Sequence, residues 1–339
     1  MTAEVALLNK QAAAMAADSK AMFGSGLTVK SYDSVDKLFA LSRDHPVGVM
    51  IYGNAEFMRV PWEVIIKEFR ETHGAPARDG VHQWARDFFA YARNFQTFSQ
   101  RDTELAALTK TAPFLKAIEA SALVNRSLEP LIRDVEARKV HPALEDITED
   151  EFARAYPEMI QRFESMLADQ IGEKLDKPMR GQLRRLLHLL IRADIETVAR
   201  SGVVISGFGT RETFPSLVNM ESDGIFAGRL AVSVPTESEI TTDHPADVLP
   251  FAVRNVMISM VHGVDPHFLD YALTVFRDLI RLNGERVIRD LAPSEAAANR
   301  MSAENVSVSD DLIRHFLDYL RDYIRDMHLG PFAATLQGM

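Results

Sequence analysis

The sequence contains no cysteine among its 339 residues. This excludes disulfide bonds, zinc sites with cysteine ligands and thiol catalysis. It also lacks any apolar run near the roughly 20 residues that a membrane-spanning helix needs. Glu4 interrupts the first apolar segment and no basic stretch precedes it, so we expect no signal peptide. The sequence therefore predicts a cytoplasmic protein that does not act at a membrane.

The sequence also has fewer basic residues than acidic ones. Lysine and arginine number 38 against 48 acidic residues, which gives a formal net charge of -10. Nucleic-acid binders usually carry a basic face, whereas here the basic residues are scattered among acids on predicted helices. We therefore expect no nucleic-acid partner. The hydrophobic share of 47% is typical of a globular protein.

The predicted elements follow the order strands, helices, strands, helices. Strand patterns fill residues 2–52, and apolar residues at helical spacing dominate residues 61–200. Strand patterns return in residues 202–235, and helical patterns follow from residue 249 onward. Strands and helices that are grouped in this way favour an α+β fold over alternating βαβ units.

Two tight turns are predicted within the strand regions. Asn9–Lys10 would join strands at residues 3–8 and 11–18, and Asp223–Gly224 would form a later hairpin turn. The apolar run at residues 46–53 is long enough for a strand that is buried on both faces. These elements would bring the start of the chain close to a sheet.

Thr2 is a candidate nucleophile. A threonine hydroxyl needs a base, and an N-terminal threonine carries one in its own α-amino group, whose pKa is about 7.7–8.0. Removal of Met1 would expose this amine. Lys37 could supply a stabilising positive charge, Asp18 could hold that lysine, and the N–H of Gly53 could receive an oxyanion. The residues thus predict a complete set for acyl transfer.

The same residues carry a family resemblance. The segment TAEVALLNKQAAAMAADSKA (2–21) resembles the start of proteasome β subunits and of the peptidase in the bacterial two-component ATP-dependent protease. In these families a mature N-terminal threonine precedes a β-hairpin that ends in Ala-Ala-Asp-Ser, and the 16 residues from Thr2 to Asp18 match that spacing. VDKLF (35–39) is similar to the segment with the catalytic lysine. MIYGNAE (50–56) is similar to the segment whose first glycine supplies the oxyanion N–H.

The resemblance implies the N-terminal-nucleophile hydrolase fold, a four-layer αββα sandwich. Residues 1–56 and 202–339 would form its discontinuous core, and residues 57–201 would form a large, mostly helical insertion or layer. The family fold ends with two strands. Because no matching pair is recognisable after Met327, we expect an incomplete C-terminal strand pair.

The resemblance also implies a function. The chain would be a proteasome-like N-terminal-threonine peptidase or amide hydrolase that works through an acyl-enzyme on Thr2. Lys37, Asp18 and Gly53 would take the catalytic roles given above. The substrate would be a peptide or a small amide, and the protein would form a homo-oligomer. The sequence identifies no ATPase partner, and the resemblance implies no cofactor.

Two other functions remain open at this stage. A catalytically inactive relative could serve as an assembly or binding protein through its helical insertion. An amidase of the same fold could act on a small amide that is not a peptide. Retention of Met1 in the purified protein would favour the inactive relative.

Other patterns give weaker signals. His262, Asp265 and His267 lie close together, but the Asp-Pro pair predicts a helix start, and we expect no metal site there. SGFG (206–209) lacks the strand and helix context of a dinucleotide site. His188 lies in a leucine stripe, so we expect a packed core histidine.

Overall fold

The computed structural model describes residues 3–19, 21–23, 30–32, 35–95, 98–252, 266–291 and 294–324. Over these ranges the chain forms twelve β-strands and ten α-helices, and every strand pair is antiparallel. The predicted α+β class is confirmed. Among the helices in these ranges, none combines the length and the apolar composition that crossing a lipid bilayer requires.

The element bounds are as follows. The strands β1 to β12 span Ala3–Asn9, Ala13–Ala17, Ala21–Phe23, Lys30–Tyr32, Leu38–Ala40, Val47–Gly53, Glu56–Phe57, Val60–Pro61, Ser201–Gly207, Ser216–Phe226, Arg229–Glu239 and Ala246–Ala252. The helices α1 to α10 span Trp62–His73, Val81–Arg93, Gln100–Thr111, Leu115–Asn125, Glu129–Glu136, Glu149–Ala155, Pro157–Ile171, Lys177–Arg192, Pro266–Leu291 and Glu295–Ile324.

Two antiparallel sheets pack face to face. One has five strands in the order β11-β10-β9-β6-β5, and the other has three in the order β12-β1-β2. Alternate side chains of a strand point to opposite faces. Ala6 and Leu8 of β1 therefore meet Met50 of β6 and Val204 of β9 in one buried cluster. This cluster is the core between the two sheets.

A helical layer covers the opposite face of the five-stranded sheet. Val49 and Ile51, the neighbours of the inward Met50, point away from the three-stranded sheet and pack against α1 and α2. Trp62 and Trp84 from these helices are fully buried there. The first part of the predicted insertion, residues 57–201, is thus a layer on the sheet.

Helices α3 to α8 enclose a separate core. Phe152, Leu187 and Ile132 are buried in it, and Phe226 at the end of β10 joins it. Helix α6 starts with a capping box, in which Oγ1 of Thr148 accepts a hydrogen bond from the N–H of Glu151 at 3.2 Å. The remainder of the predicted insertion is therefore a helical body with its own apolar interior.

The predicted turn at Asp223–Gly224 is wrong. Both residues lie inside β10, and the hairpin turns at Ala227 and Gly228, whose φ angles are +46° and +76°. Two left-handed residues in succession give the twist that suits a two-residue hairpin. The carboxylate of Asp223 instead binds Arg200, with a 2.7 Å contact to a terminal guanidinium nitrogen.

The expectation of helix from residue 249 onward is also wrong at its start. Residues 249–252 belong to β12, the edge strand of the three-stranded sheet. Pro250 is tolerated because an edge strand has one side on which an N–H is not needed. Helix returns at Pro266, the first residue of α9. The expected incomplete strand pair after Met327 lies outside the described residues.

Candidate active site

The first hairpin places Asp18 beside the start of β1. The side-chain oxygen of Asn9 accepts hydrogen bonds from the N–H groups of Gln11 and Ala12, each at 2.8 Å. This closes the turn that the sequence predicts. The register that follows pairs Glu4 with Ala17. Asp18, one residue beyond Ala17, therefore lies level with the first residues of β1.

Asp18 and Lys37 form an ion pair between the two sheets. Asp18 follows the edge strand β2 of one sheet, and Lys37 precedes the edge strand β5 of the other. The Nζ of Lys37 lies 2.5 Å from Oδ1 of Asp18. The lysine side chain is 7% exposed and the aspartate side chain 34%. The structure thus brings together two of the residues that the sequence nominated.

The N–H of Gly53 lies on the Lys37 side of β6. The N–H of Ile51 donates to the carbonyl of Lys37 at 3.0 Å, whereas that of Asn54 donates to Arg200 on the β9 side at 3.0 Å. Successive N–H groups of a strand point to opposite edges, so the N–H of Gly53 points the same way as that of Ile51. The predicted oxyanion donor and the lysine therefore lie on one edge.

Glycine is required at position 53. Its φ of +75° is left-handed, and a Cβ there would come within 2.5 Å of the carbonyl oxygen of Arg200. Any other residue would clash with backbone, which cannot move aside. The strand end beside Lys37 is thus fixed by backbone geometry.

Thr2, the predicted nucleophile, lies outside the described residues. The first described residue is Ala3, where β1 begins. Covalent geometry keeps neighbouring Cα atoms 3.8 Å apart. Thr2 is therefore considered for the site only as the residue that precedes Ala3 in the sequence.

Glu4 is a residue that the sequence analysis did not assign to the site. Its side chain points to the face of β1 that also carries Ala6 and Leu8, and the residue is 4% exposed. Neither carboxyl oxygen has a hydrogen-bond partner. Burial raises the pKa of Glu4 to about 8, with a lowering contribution from Lys37 and a raising one from Asp18. The sequence does contain a signal for it: Glu4 is an acidic residue at a position where strand alternation predicts a side chain that points to the core.

A polar network adjoins the same end of β6. The hydroxyl of Tyr52 donates to Oε1 of Glu221 at 2.7 Å and accepts from Asn219 at 3.0 Å. Arg200 lies 3.8 Å from Glu221 and 2.7 Å from Asp223. These carboxylates raise the pKa of Arg200 against the opposing effect of burial. The network braces the strand ends that flank Gly53.

A cavity of about 300 Å³ lies beyond Gly53. Its lining includes Asn54, Glu56 and Met58 after β6, together with Thr109 of α3 and Asp223 of β10. This size is at the lower end of small-molecule pockets. The cavity therefore offers room for one side chain or a small group at this end of the sheet.

The remaining sequence candidates add no chemistry. His188 is buried, and its Nε2 lies 2.7 Å from the carbonyl of Ile147, which confirms the core histidine. His262 and Asp265 lie outside the described residues. Within the ranges that the structure describes, no three histidine, aspartate or glutamate side chains gather as metal ligands.

Comparisons with known proteins assign no family. No protein-family model matches the chain, and neither curated proteins nor solved structures give a significant match. The candidate site is therefore defined by Asp18, Lys37 and Gly53 and by the position of Thr2 in the sequence.

Proposed function

We propose that this chain is an N-terminal-threonine amide hydrolase, a proteasome-like peptidase or amidase that acts through an acyl-enzyme on Thr2. The observation that carries the proposal is the Asp18–Lys37 ion pair, which is largely buried and lies on the edge of β6 toward which the Gly53 N–H points. The chain reaches this end of the first hairpin at Ala3, one residue after Thr2. A nucleophile, a cation and an oxyanion donor are then close together.

Each group has a defined role in the reaction. The Oγ of Thr2 attacks the amide carbon while its proton passes to the α-amino group. The N–H of Gly53 donates a hydrogen bond to the oxyanion, and the ammonium of Lys37 stabilises the negative charge that develops on Oγ. The α-ammonium then protonates the leaving nitrogen as the C–N bond breaks. Water hydrolyses the resulting ester and restores the threonine.

We also propose the four-layer sandwich of N-terminal-nucleophile hydrolases as the fold. The α1–α2 layer and the two packed sheets supply three layers in the required order. The substrate would be a peptide or a small amide, and the cavity beyond Gly53 is large enough for one of its side groups. The mechanism needs no cofactor. The proposed assembly is a homo-oligomer.

The test is the intact mass of the purified protein before and after exposure to a β-lactone. We expect a protein without Met1 that gains one adduct, mapped to Thr2, because the lactone acylates an activated hydroxyl. Thr2→Ala should remove the adduct. Thr242→Ala changes an exposed threonine and should leave the adduct unchanged. A free Thr2 that never reacts would refute the proposed hydrolase.

A second candidate function is that of a catalytically inactive assembly or binding protein. The helical body of α3 to α8 favours it, because this body has an apolar core of its own in addition to its contact with the end of β10. Retained Met1 together with folded protein that does not react with the lactone would support this function.

A further inference from the structure

Glu4 is a buried acid beside the Asp18–Lys37 ion pair. The charged groups that act on it from the described part of the chain are Lys37 and Asp18. These two side chains neutralise each other at 2.5 Å. Both oxygens of Glu4 lack hydrogen-bond partners although the residue is 4% exposed. An ionised Glu4 would therefore be an uncompensated buried charge, which is costly.

One additional cation would balance this cluster. Among the described side chains of the cluster, two carboxylates and one ammonium carry a net charge of -1, so a second ammonium would balance them. A buried carboxyl group without a hydrogen-bond partner points to a bound ion or to a functional role. Such a cation must be able to reach the inner face of β1 near its first residue.

The chain itself can supply that cation. Removal of Met1 creates an α-ammonium on Thr2, and the Cα atoms of residues 2 and 4 lie at most about 7 Å apart. A glutamate side chain can bridge most of this span. With Met1 retained, the amine lies one residue farther from Glu4, at up to about 11 Å between the Cα atoms of residues 1 and 4.

We propose that Glu4 binds the α-amino group of Thr2 once Met1 has been removed. This inference rests on the proposed function of Thr2 and adds a positioning residue to it. Glu4 would hold the amine beside the threonine hydroxyl and strengthen it as a base, because a neighbouring carboxylate favours the ammonium form. Site assembly would then depend on processing of the amino terminus.

The first experiment compares two forms of the protein that differ by one residue. The first begins at Thr2, and the second carries one glycine before Thr2, which moves the amine away without changing any side chain. Glutamate side-chain carboxyl groups are labelled with ¹³C and titrated by NMR, and Glu4→Gln identifies the Glu4 signal. This variant should fold, because glutamine has the shape of a protonated glutamate.

The expected result is a difference in the titration midpoint of Glu4. In the form with the extra glycine the midpoint should lie near 8. In the form that begins at Thr2 it should be lower by about 1 pH unit or more, because an ammonium favours the carboxylate. Equal midpoints in the two forms would overturn the inference.

A second readout uses the rate of lactone acylation of Thr2 against pH. Glu4→Gln removes a negative neighbour, so the amine should become neutral at lower pH and the midpoint of the rate profile should fall by about 1 unit. A purely structural role would change the rate but not the midpoint. Glu237→Gln makes the same change on an exposed position of β11 and should leave the profile unchanged.

The two proposals fail in different ways. A lowered Glu4 midpoint without any lactone adduct would refute the hydrolase but keep the contact between Glu4 and the amine. An adduct on Thr2 with equal Glu4 midpoints would keep the hydrolase and refute the role of Glu4.

Discussion

At the scale of single residues, the described part of the protein buries two lysines in different ways. Lys37 meets a carboxylate at 2.5 Å. Lys110 on α3 is 1% exposed, and its Nζ has no hydrogen-bond partner among the described residues. The ring of Phe226 partly compensates the charge of Lys110, since its centroid lies 4.9 Å from Nζ. The first lysine therefore has a carboxylate partner, whereas the second destabilises the fold when charged.

Lys37→Met should lower the rate of lactone acylation by about 100-fold or more, since loss of one preorganised electrostatic group typically has an effect of this size. Methionine keeps most of the side-chain volume, so the fold should persist. The measurement is the pseudo-first-order rate of adduct formation by mass spectrometry. Lys67→Met alters an exposed lysine of α1 and serves as the control. Equal rates in wild type and Lys37→Met would exclude a catalytic role for Lys37.

Lys110→Met should stabilise the protein at neutral pH by about 1–3 kcal/mol, because it removes a buried charge that lacks a hydrogen-bond partner. Burial lowers the pKa of Lys110 to about 8, partly offset by Asp223. Between pH 8 and about 10.5 the unfolded chain then binds more protons than the native state, so wild-type stability should rise with pH in this window. In Lys110→Met this contribution should be absent.

The check is urea unfolding of both proteins at pH 7, 9 and 10.5. The stability difference should shrink as pH rises. Lys116→Met, at an exposed position of α4, should track the wild type at every pH. A difference between Lys110→Met and wild type that does not depend on pH would contradict the argument.

How far the sequence predicts the site depends on sequence distance. Asp18 and Lys37 can be predicted because they lie near Thr2 in the sequence, in segments that carry the family resemblance. Arg200 and Asp223 cannot, because their contact depends on how β9 and β10 pair. Glu4 is predictable in part. Strand alternation places it inside, but only the structure shows that its oxygens lack partners.

At the scale of elements, the strong periodic patterns are confirmed and the turns are less predictable. The predicted strand at 46–53 is observed as β6, and the helical pattern predicted over residues 61–200 is observed as α1 to α8. The sequence does not distinguish the two possible turn positions, because Asp223–Gly224 and Ala227–Gly228 both contain glycine. Pairing of Gly224 with Ala231 of β11 and the bond from Arg200 to Asp223 keep the first pair inside the strand.

Two glycines, one in this turn and one in α8, should respond to substitution in opposite directions. Gly228 has open space around its Cα but a φ of +76°, whereas Gly181 lies in α8 with equally open space and ordinary helical geometry. Gly228→Ala should destabilise the protein by about 1 kcal/mol through backbone strain. Gly181→Ala should stabilise it by up to about 1 kcal/mol through helix propensity. Chemical denaturation measures both, and effects of equal sign would contradict the assigned turn.

At the scale of the whole molecule, two surfaces of the described residues carry partly exposed apolar side chains. The outer face of the three-stranded sheet carries half-buried or exposed apolar side chains, namely Val5, Leu7, Ala14, Ala16, Val248 and Pro250. The α9–α10 hairpin exposes large side chains that include Phe268, Tyr271, Leu279, Leu282, Leu312, Phe316 and Tyr319. Exposed large apolar side chains clustered on one surface are typical of an interaction site.

The stripe on α9 is continuous. Phe268, Tyr271, Val275, Leu279 and Leu282 recur every three or four residues and therefore share one helix face. The buried Ile288 lies on the opposite side of the helix by the same periodicity. In the proposed homo-oligomer, a second copy would cover the exposed part of this stripe and of the sheet face reciprocally.

This reciprocal arrangement predicts a specific crosslink. The chain contains no cysteine, so introduced cysteines are the only thiols. Chains with Ala14→Cys and chains with Leu279→Cys, differently tagged, are mixed, allowed to exchange and treated with a short bismaleimide. A covalent heterodimer is expected, because the sheet of one copy would face the α9 stripe of the other. Val198→Cys, which replaces a side chain that is 86% exposed outside both surfaces, should give none with Leu279→Cys. If the two cysteines crosslink only when placed in the same chain, the hairpin covers its own sheet, and the homo-oligomer would need another interface.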